Sequence, residues 1–513
     1  MRKIIEADYN QIFLLPPSLE EMVPADHPAR FIREFVDAME IQELELKAIA
    51  EVGGKVFSPR LLLCVWLYGY FKKIRSCRAM ETLANEDIPT VWLSGKTQPD
   101  HNTLWRFWRD NKRAIGNFFK ATVKVAIKSD LVDFALQAVD GTKIQARVSG
   151  RRGYSLEQNQ ELLAAVDRAI RDQERGIEST ISRDANTPRI KLPKTLLGKE
   201  ALANKIRGAM DQMQQEERKY CHPSEPDARR LKLDERNRFG HNAQAVVNAK
   251  KQIITGADVI PSESDSGHLL EMMENSKEQT GADPTTLADG SYGNSGETIR
   301  VAQEQGLDVV TPLPSSSANK DNNAYHTCNF RYEKEGDVVI CPQGKELGFM
   351  RERTDRGTKT RVYRSSGVCR GCPVRALCTK SAHGRSIELS VNSEAIERHR
   401  KKMEEPSVRA LYKLRSQIVE PVFAHIKEHG GFRRWTVCGL TNVRAQWLLL
   451  CATWNLGRLY KEWKNQKNQR SGPQSAPAGA GEAVAGLLCD LVALFMWLAG
   501  IVGGQIRPNP VAG

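Results

Sequence analysis

Between His27 and Trp108 apolar residues recur at helical spacing, broken by short polar turns, and this pattern predicts a run of helices. The first covers His27 to Ile41, with Phe31, Ile32, Phe35, Val36 and Met39 on one side. Ser58-Pro59 opens a second, with Ser58 placed to cap and Pro59 at the first helical position, where a missing N–H costs nothing. Its body, Leu61 to Phe71, is apolar on every side and is expected to be buried. A shorter helix near Arg78–Ala84, a break at Ile88-Pro89 and a helix after Pro99-Asp100 carrying Trp105, Phe107 and Trp108 complete the run.

After Leu131 the period changes. Phe134 to Val148 reads as a strand with Asp140 at its centre and Gly141 next to it. Residues 150–235 are charged and Gln-rich, and read as an insertion with helices near 156–173 and 198–219. Strands are expected at Ala243–Asn248 and Gln252–Val259, then a helix at His268–Gln279. A short apolar strand, Thr285–Ala288, ends at Asp289-Gly290; a helix from Ser295 leads to a strand at Leu307–Thr311. This order implies a mixed α/β sheet. A Cys-rich, turn-rich stretch at 312–392 interrupts it, and helices resume at Ser393–Glu428 and Leu440–Trp463. A Pro/Gly/Ala/Ser stretch at 471–482 precedes an apolar tail.

A chain of 513 residues exceeds what one core supports. The pattern divides it into a helical domain (1–131), an α/β domain (132–465) with insertions at 150–235 and 312–392, and a linker and tail (466–513). Hydrophobic residues at 40% and charged residues at 27% exclude wholesale disorder. A net charge of +13 favours polyanionic partners, because each cation placed on a phosphate releases counterions. The first residues lack the apolar run of a secretory signal, so the eleven cysteines point to a reducing compartment, where thiols bind metal more often than they pair. The tail Ala483–Gly504, interrupted by Asp490, would span roughly 33 Å as a helix, enough for a bilayer. A buried helix or a non-functional extension is the favoured reading of it, over a membrane anchor.

Charge placement then narrows the chemistry. Short helices bearing Arg75, Arg78, Arg106, Arg109, Lys112 and Arg113 fit a helix-turn-helix reader of duplex DNA, or a bundle with a solvated basic face. Basic charge in register with helix ends favours DNA. Asp140 and Asp289 each sit in or just beyond an apolar strand, where a carboxylate needs a cation or a basic partner. With a Glu on a later helix they would converge at a sheet edge, and hard oxygen ligands suit Mg²⁺ or Mn²⁺. Asp258 and Asp265 are competing acids. Cys369-x2-Cys372-x5-Cys378, with Cys341 upstream, supplies four thiols of the kind that hold tetrahedral Zn²⁺; His326 and Cys328 are spare. Arg433 and Arg434 are placed to contact DNA, whereas Trp447, Trp454 and Trp463 fit a core better than a stacking platform.

Several strings, in order, carry a resemblance. They are Phe13-Leu14-Leu15-Pro16-Pro17-Ser18-Leu19, Pro99-Asp100-His101-Asn102-Thr103, Asp140-Gly141-Thr142-Lys143, Gly240-His241-Asn242-Ala243-Gln244-Ala245 and Leu287-Ala288-Asp289-Gly290-Ser291-Tyr292. Ile418-Val419-Glu420-Pro421-Val422-Phe423, continuing to Gly431-Phe432-Arg433-Arg434, completes the series. Over residues 10–460 the chain resembles bacterial insertion-sequence DDE transposases, of the branch numbered eleven eighty-two in the IS-four and IS-five grouping. The resemblance implies a helical N-terminal DNA-binding domain followed by an RNase H-like catalytic core, an α+β chain overall. It assigns Asp140, Asp289 and Glu420 to the catalytic triad. It also maps a Tyr/Arg/Glu/Lys signature onto Tyr412, Arg415, Glu420 and Lys427, with one extra residue between Arg415 and Glu420. Lys427 is expected to bind phosphate, and Pro421 is expected to leave Glu420 at a kink or helix start. The implied activity is metal-dependent cleavage and strand transfer of element ends. The implied partners are duplex DNA with terminal inverted repeats, target DNA and further copies of the chain in a homodimer or larger assembly; the implied location is the cytoplasm, on DNA. Two alternatives share these residues: a DNA-binding protein derived from a transposase without catalysis, and a metal-dependent nuclease.

Overall fold

The computed structural model describes residues 18–39, 47, 56–148, 153–175, 192–233, 235–313, 323–355, 358–390 and 392–470. The segment 13–17, the linker 471–482 and the tail 483–504 lie outside them. Among the described residues no helix is long and apolar enough to cross a membrane. The chain divides into two compact units, one of residues 1–126 with 444–513, the other of residues 127–443.

The first unit is helical. Its elements are α1 (Pro28–Asp37), α2 (Pro59–Phe71), α3 (Cys77–Glu86), α4 (Ile88–Leu93), α5 (His101–Asp110) and most of α6 (Lys112–Lys128). α2 is buried from Leu62 through Tyr70, as its all-round apolar sequence requires. Ser58 stands at its N-cap, but its side chain makes no capping bond. The break expected at Ile88-Pro89 is instead the first turn of α4. Asp87 caps it, accepting from the Thr90 N–H at 3.2 Å, and a proline in a first turn forfeits no helical hydrogen bond. Asp100 caps α5 in the same way. The unit is completed by the long helix Leu440–Arg470 from Arg444 onward. Gln446 donates to the Tyr70 hydroxyl at 2.8 Å, Asn455 to Thr122 Oγ1 at 3.2 Å, and Tyr460 and Trp463 both pack on Phe31. Trp447 is fully buried, so this tryptophan belongs to the core.

The second unit is built on a mixed six-stranded sheet. Its strands are β1 (Leu136–Gln145), β2 (Arg229–Leu233), β3 (Arg236–Asn248), β4 (Ile254–Ile260), β5 (Thr285–Ala288) and β6 (Val309–Val310). The order is β2-β3-β1-β5-β6, with β4 also paired to β3. β3 runs antiparallel to β1, β2 and β4, whereas β5 is parallel to β1 and β6 to β5. The parallel pairs need crossovers, which α9 (Leu269–Thr280) and α10 (Gly296–Glu304) accompany. Leu269, Met272 and Met273 of α9 and Ala302 of α10 share a core with Val139, Val246, Ala288 and Val309 of the sheet. Between β1 and β2 lie α7 (Leu156–Glu174) and α8 (Leu196–Gln215), which pack on each other through Leu162, Val166, Ala203 and Ile206.

The stretch 312–392 is not merely turns. It forms a second, antiparallel sheet, β7 (Arg331–Glu333), β8 (Val338–Ile340), β9 (Glu346–Asp355), β10 (Thr358–Arg364) and β11 (Ser386–Ser390), in the order β11-β10-β9-β8-β7. Val339, Leu347, Tyr363 and Ile387 make its core. Two short helices, α11 (Ser366–Arg370) and α12 (Arg375–Cys378), join β10 to β11. Then follow α13 (Ser393–Glu404), α14 (Pro406–Tyr412) and α15 (Leu414–Ala424), and a single wide turn, His425–His429, of π-helical geometry.

Candidate active site

Parallel pairing of β1 with β5 sets Val139 opposite Ala288, the last residue of β5, so the residues that follow, Asp140 and Asp289, come close enough to interact. Neighbouring strands are about 4.8 Å apart, so two carboxylates at this register share one electrostatic environment. Both side chains are partly buried. Burial holds the Asp140 carboxyl above the ordinary range; Arg415 and the Gly141 N–H pull it back, and Asp289 pushes it further up. Arg415 Nη1 donates to Asp140 Oδ2 at 3.0 Å. Burial works against the charge of Arg415, but Asp140, Tyr412 and Asp289 outweigh it and hold the guanidinium more firmly charged. Burial also raises the Tyr412 phenol. Thus Tyr412 and Arg415, from α14 and α15, converge on the two aspartates.

Glu420 lies on α15, exposed, in a helix that packs on β1 and β3. α15 continues through Pro421, so Glu420 lies inside the helix and not at its start. Proline lacks the N–H that would bond the carbonyl of Gln417, and Gln252 Nε2 occupies that carbonyl instead, at 2.9 Å. Lys427 falls within the π-helical turn, so simple α-helical spacing from Glu420 does not fix its face. Among the described residues no three His, Cys, Asp or Glu side chains close around a single point. At Asp140 the positive charge is supplied by Arg415.

Beneath the aspartates lies a hydrogen-bonded bed that sequence reasoning missed, apart from Asp265 as a competing acid. Asp265 Oδ1 accepts from Asn242 Nδ2 and Gln244 Nε2, both at 2.7 Å, and Oδ2 accepts from the Ser291 hydroxyl at 3.2 Å. The Ser291 N–H donates to Asp289 Oδ1, also at 3.2 Å, and Tyr292 donates its hydroxyl to Gln244 Oε1. Asn242 and Gln244 are fully buried and two apart on β3, hence on one face. A pair of amides at that spacing in an apolar strand is the signal that could have found them. Gly141 completes the arrangement: a Cβ there would stand 2.3 Å from Gln244 Nε2 and 2.7 Å from Asp265 Oδ1. Asp258 lies one strand further out, on β4, in register with Gln244.

The remaining expected residues lie elsewhere. Arg434 donates to the carbonyls of Ala146, Arg147 and Val148, and exposed Arg433 pairs with Glu428. Arg106 and Arg109 sit on α5; Arg109 is exposed and bonds its neighbour Asp110 at 2.7 and 2.8 Å. Cys341, Cys369, Cys372 and Cys378 all line one small cavity, and none is in a disulfide. Burial pushes the Cys378 thiol up; Arg385 opposes that, and the other three sulfurs add to it.

No curated protein matches the chain. Two family models do. One, a transposase domain (DUF772), matches residues 17–110 of the helical unit. The other, a transposase DDE domain, matches residues 340–460, which include the Cys-lined cavity, Arg415 and Glu420 but neither aspartate. Together these matches support an insertion-sequence DDE transposase.

Proposed function

We propose that the protein cuts the ends of an insertion sequence and joins them to target DNA, with Asp140, Asp289 and Glu420 as its catalytic carboxylates. The observation that carries this reading is the β1–β5 register, which sets two partly buried acids side by side with a basic partner above them. The strand order, with β1, β2 and β4 each antiparallel to β3 and with β5 and β6 parallel to β1 on its other side, supports an RNase H-like core. The donor set fits Mg²⁺ or Mn²⁺, since Asp140 and Asp289 offer hard oxygens and carry more negative charge than their setting neutralises. A divalent cation bound there would activate the attacking oxygen and stabilise the leaving one. Asp140 and Asp289 would hold it, and Glu420 would complete the set from α15. Arg415 and Tyr412 would bind the scissile phosphate, and Lys427 a neighbouring one. Arg106, Arg109, Arg433 and Arg434 would contact the backbone of duplex DNA bearing the terminal inverted repeats, as part of a homo-oligomeric complex on DNA.

The test uses duplex element ends and a target duplex in Mg²⁺. Asp140→Asn, Asp289→Asn and Glu420→Gln should each abolish cleavage and strand transfer while DNA binding persists. Near-normal cleavage by any one of them removes that residue from the triad, and cleavage without joined products by the wild type favours a nuclease.

A further inference from the structure

We propose that Cys341, Cys369, Cys372 and Cys378 form a closed four-thiolate zinc site that ties together the second sheet. The four residues come from two places in that sheet. Cys341 follows β8 at the start of a tight turn in which its N–H donates to the Lys345 carbonyl at 2.9 Å and its carbonyl accepts from the Gly344 N–H at 2.8 Å. Gly344 has a φ of +69°, which a side chain would disfavour. Cys369 and Cys372 belong to a second turn, in which the Cys372 N–H bonds the Cys369 carbonyl, and Cys378 ends α12. All four line one cavity of about 30 Å³, large enough for a single ion. Four thiols that line one cavity without a disulfide offer the ligand set that tetrahedral Zn²⁺ prefers; as they stand no three of them close around a single point, so the ion would draw them in from the two turns.

The charges around the cavity point the same way. Binding releases the protons of the four thiols and leaves a centre with a net charge of −2, which a partly buried site must offset. Arg375 and Arg385 both line the cavity. Arg385 Nη1 donates to the Cys378 carbonyl at 3.4 Å, while its Nε is buried with no hydrogen-bond partner among the described residues. A buried donor in that condition is costly, and a metal-bound thiolate is an acceptor suited to it. The sheet's core is small, Val339, Leu347, Tyr363 and Ile387, with Cys369 packed against it. An ion at this place would join the β8–β9 turn to the β10–β11 connection. It leaves no open coordination position, and so has no direct part in phosphoryl transfer.

The test is metal analysis of the full chain, purified under reducing conditions without chelator. One zinc per chain is expected, and Co²⁺ in its place should give the visible and thiolate charge-transfer absorption of a tetrahedral sulfur site. Cys369→Ser with Cys372→Ser should take the zinc content close to zero, whereas Cys328→Ser, at an exposed thiol before β7, should leave it at one. A wild-type chain without zinc, or a double variant that keeps it, overturns the proposal. If the double variant does not fold, alkylation of the wild type decides: zinc should spare the four thiols while Cys328 reacts, and chelation should expose them. Equal reactivity of all five before chelation overturns it. These measurements involve neither DNA nor cleavage, so their failure is distinct from failure of the transposase reading.

Discussion

Arg415 donates to Asp140 at 3.0 Å with both side chains mostly enclosed, 15% and 20% exposed, so the first acid of the candidate triad already has a cation beside it. That pairing explains how a carboxylate persists inside an apolar strand. Removing one partner leaves the other's charge enclosed and unpaired. Arg415→Ala should lower stability by about 1–3 kcal/mol in urea unfolding. Combined with Asp140→Asn, the two losses should be less than additive. Additive losses would mean that the pair is not formed in solution.

The position of Asp140 also sets a pH dependence. Burial raises its pKa in the folded chain, so the folded state keeps that proton at pH values where the unfolded chain has lost it. Its contribution to stability is therefore present below the ordinary carboxylate value and declines as pH rises through the raised one. Protons and Mg²⁺ compete for the same oxygens. The Mg²⁺ concentration needed for half-maximal cleavage should rise as pH falls, beginning above the ordinary carboxylate range. A requirement flat with pH down to that range would contradict the shift.

Gly141 leaves no room for a side chain unless its neighbours shift. A Cβ at 2.3 Å from Gln244 Nε2 and 2.7 Å from Asp265 Oδ1 forces the bed apart. Gly141→Ala should cost about 1–3 kcal/mol and depress cleavage strongly, because the displaced groups support both aspartates. Thermal unfolding with a cleavage assay checks both; wild-type values would show that the bed yields freely.

Asp265 is the hub of that bed, and its loss strands three donors. Asp265→Ala should destabilise by about 1–3 kcal/mol and slow cleavage by loosening the Ser291 turn that steadies Asp289. Asp265→Glu should restore less than half of either, since the three donors are already at bonding distance. Full activity in Asp265→Ala would reduce Asp265 to a bystander.

For DNA, the full chain carrying Arg106→Ala and Arg109→Ala should bind element ends more weakly. Its log–log salt slope should be smaller by about 1 for each phosphate that the variant no longer neutralises. An unchanged slope would take α5 out of the DNA interface.

How much of this was legible beforehand depended on the distance over which residues act. Asp140 and Asp289 stand out because an acid in an apolar run is visible in a short window. Their juxtaposition follows from strand pairing across more than a hundred residues, which no window shows. Asn242 and Gln244 looked like part of a motif, but their partner Asp265 lies beyond the next strand. Pro421 misled about the helix start for a similar reason: α15 continues through it, and the Gln417 carbonyl that it orphans is bonded by Gln252 from afar. The second sheet escaped notice because β9 and β10 bury few residues each. Their outward faces, with Arg351, Arg353, Lys359 and Arg361, read as loop.

The helix Leu440–Arg470 places a constraint on the order of synthesis. Tyr70, Thr122 and Phe31 find partners in residues that the ribosome makes only after the entire second unit. At roughly 5–20 residues per second, some tens of seconds separate the two parts of the helical unit. A nascent chain would therefore complete its α/β unit while α2, with its long buried face, still awaits Gln446 and the residues that follow it. A truncated product would carry the acids without a finished helical unit, and only a chain translated through Arg470 could have both.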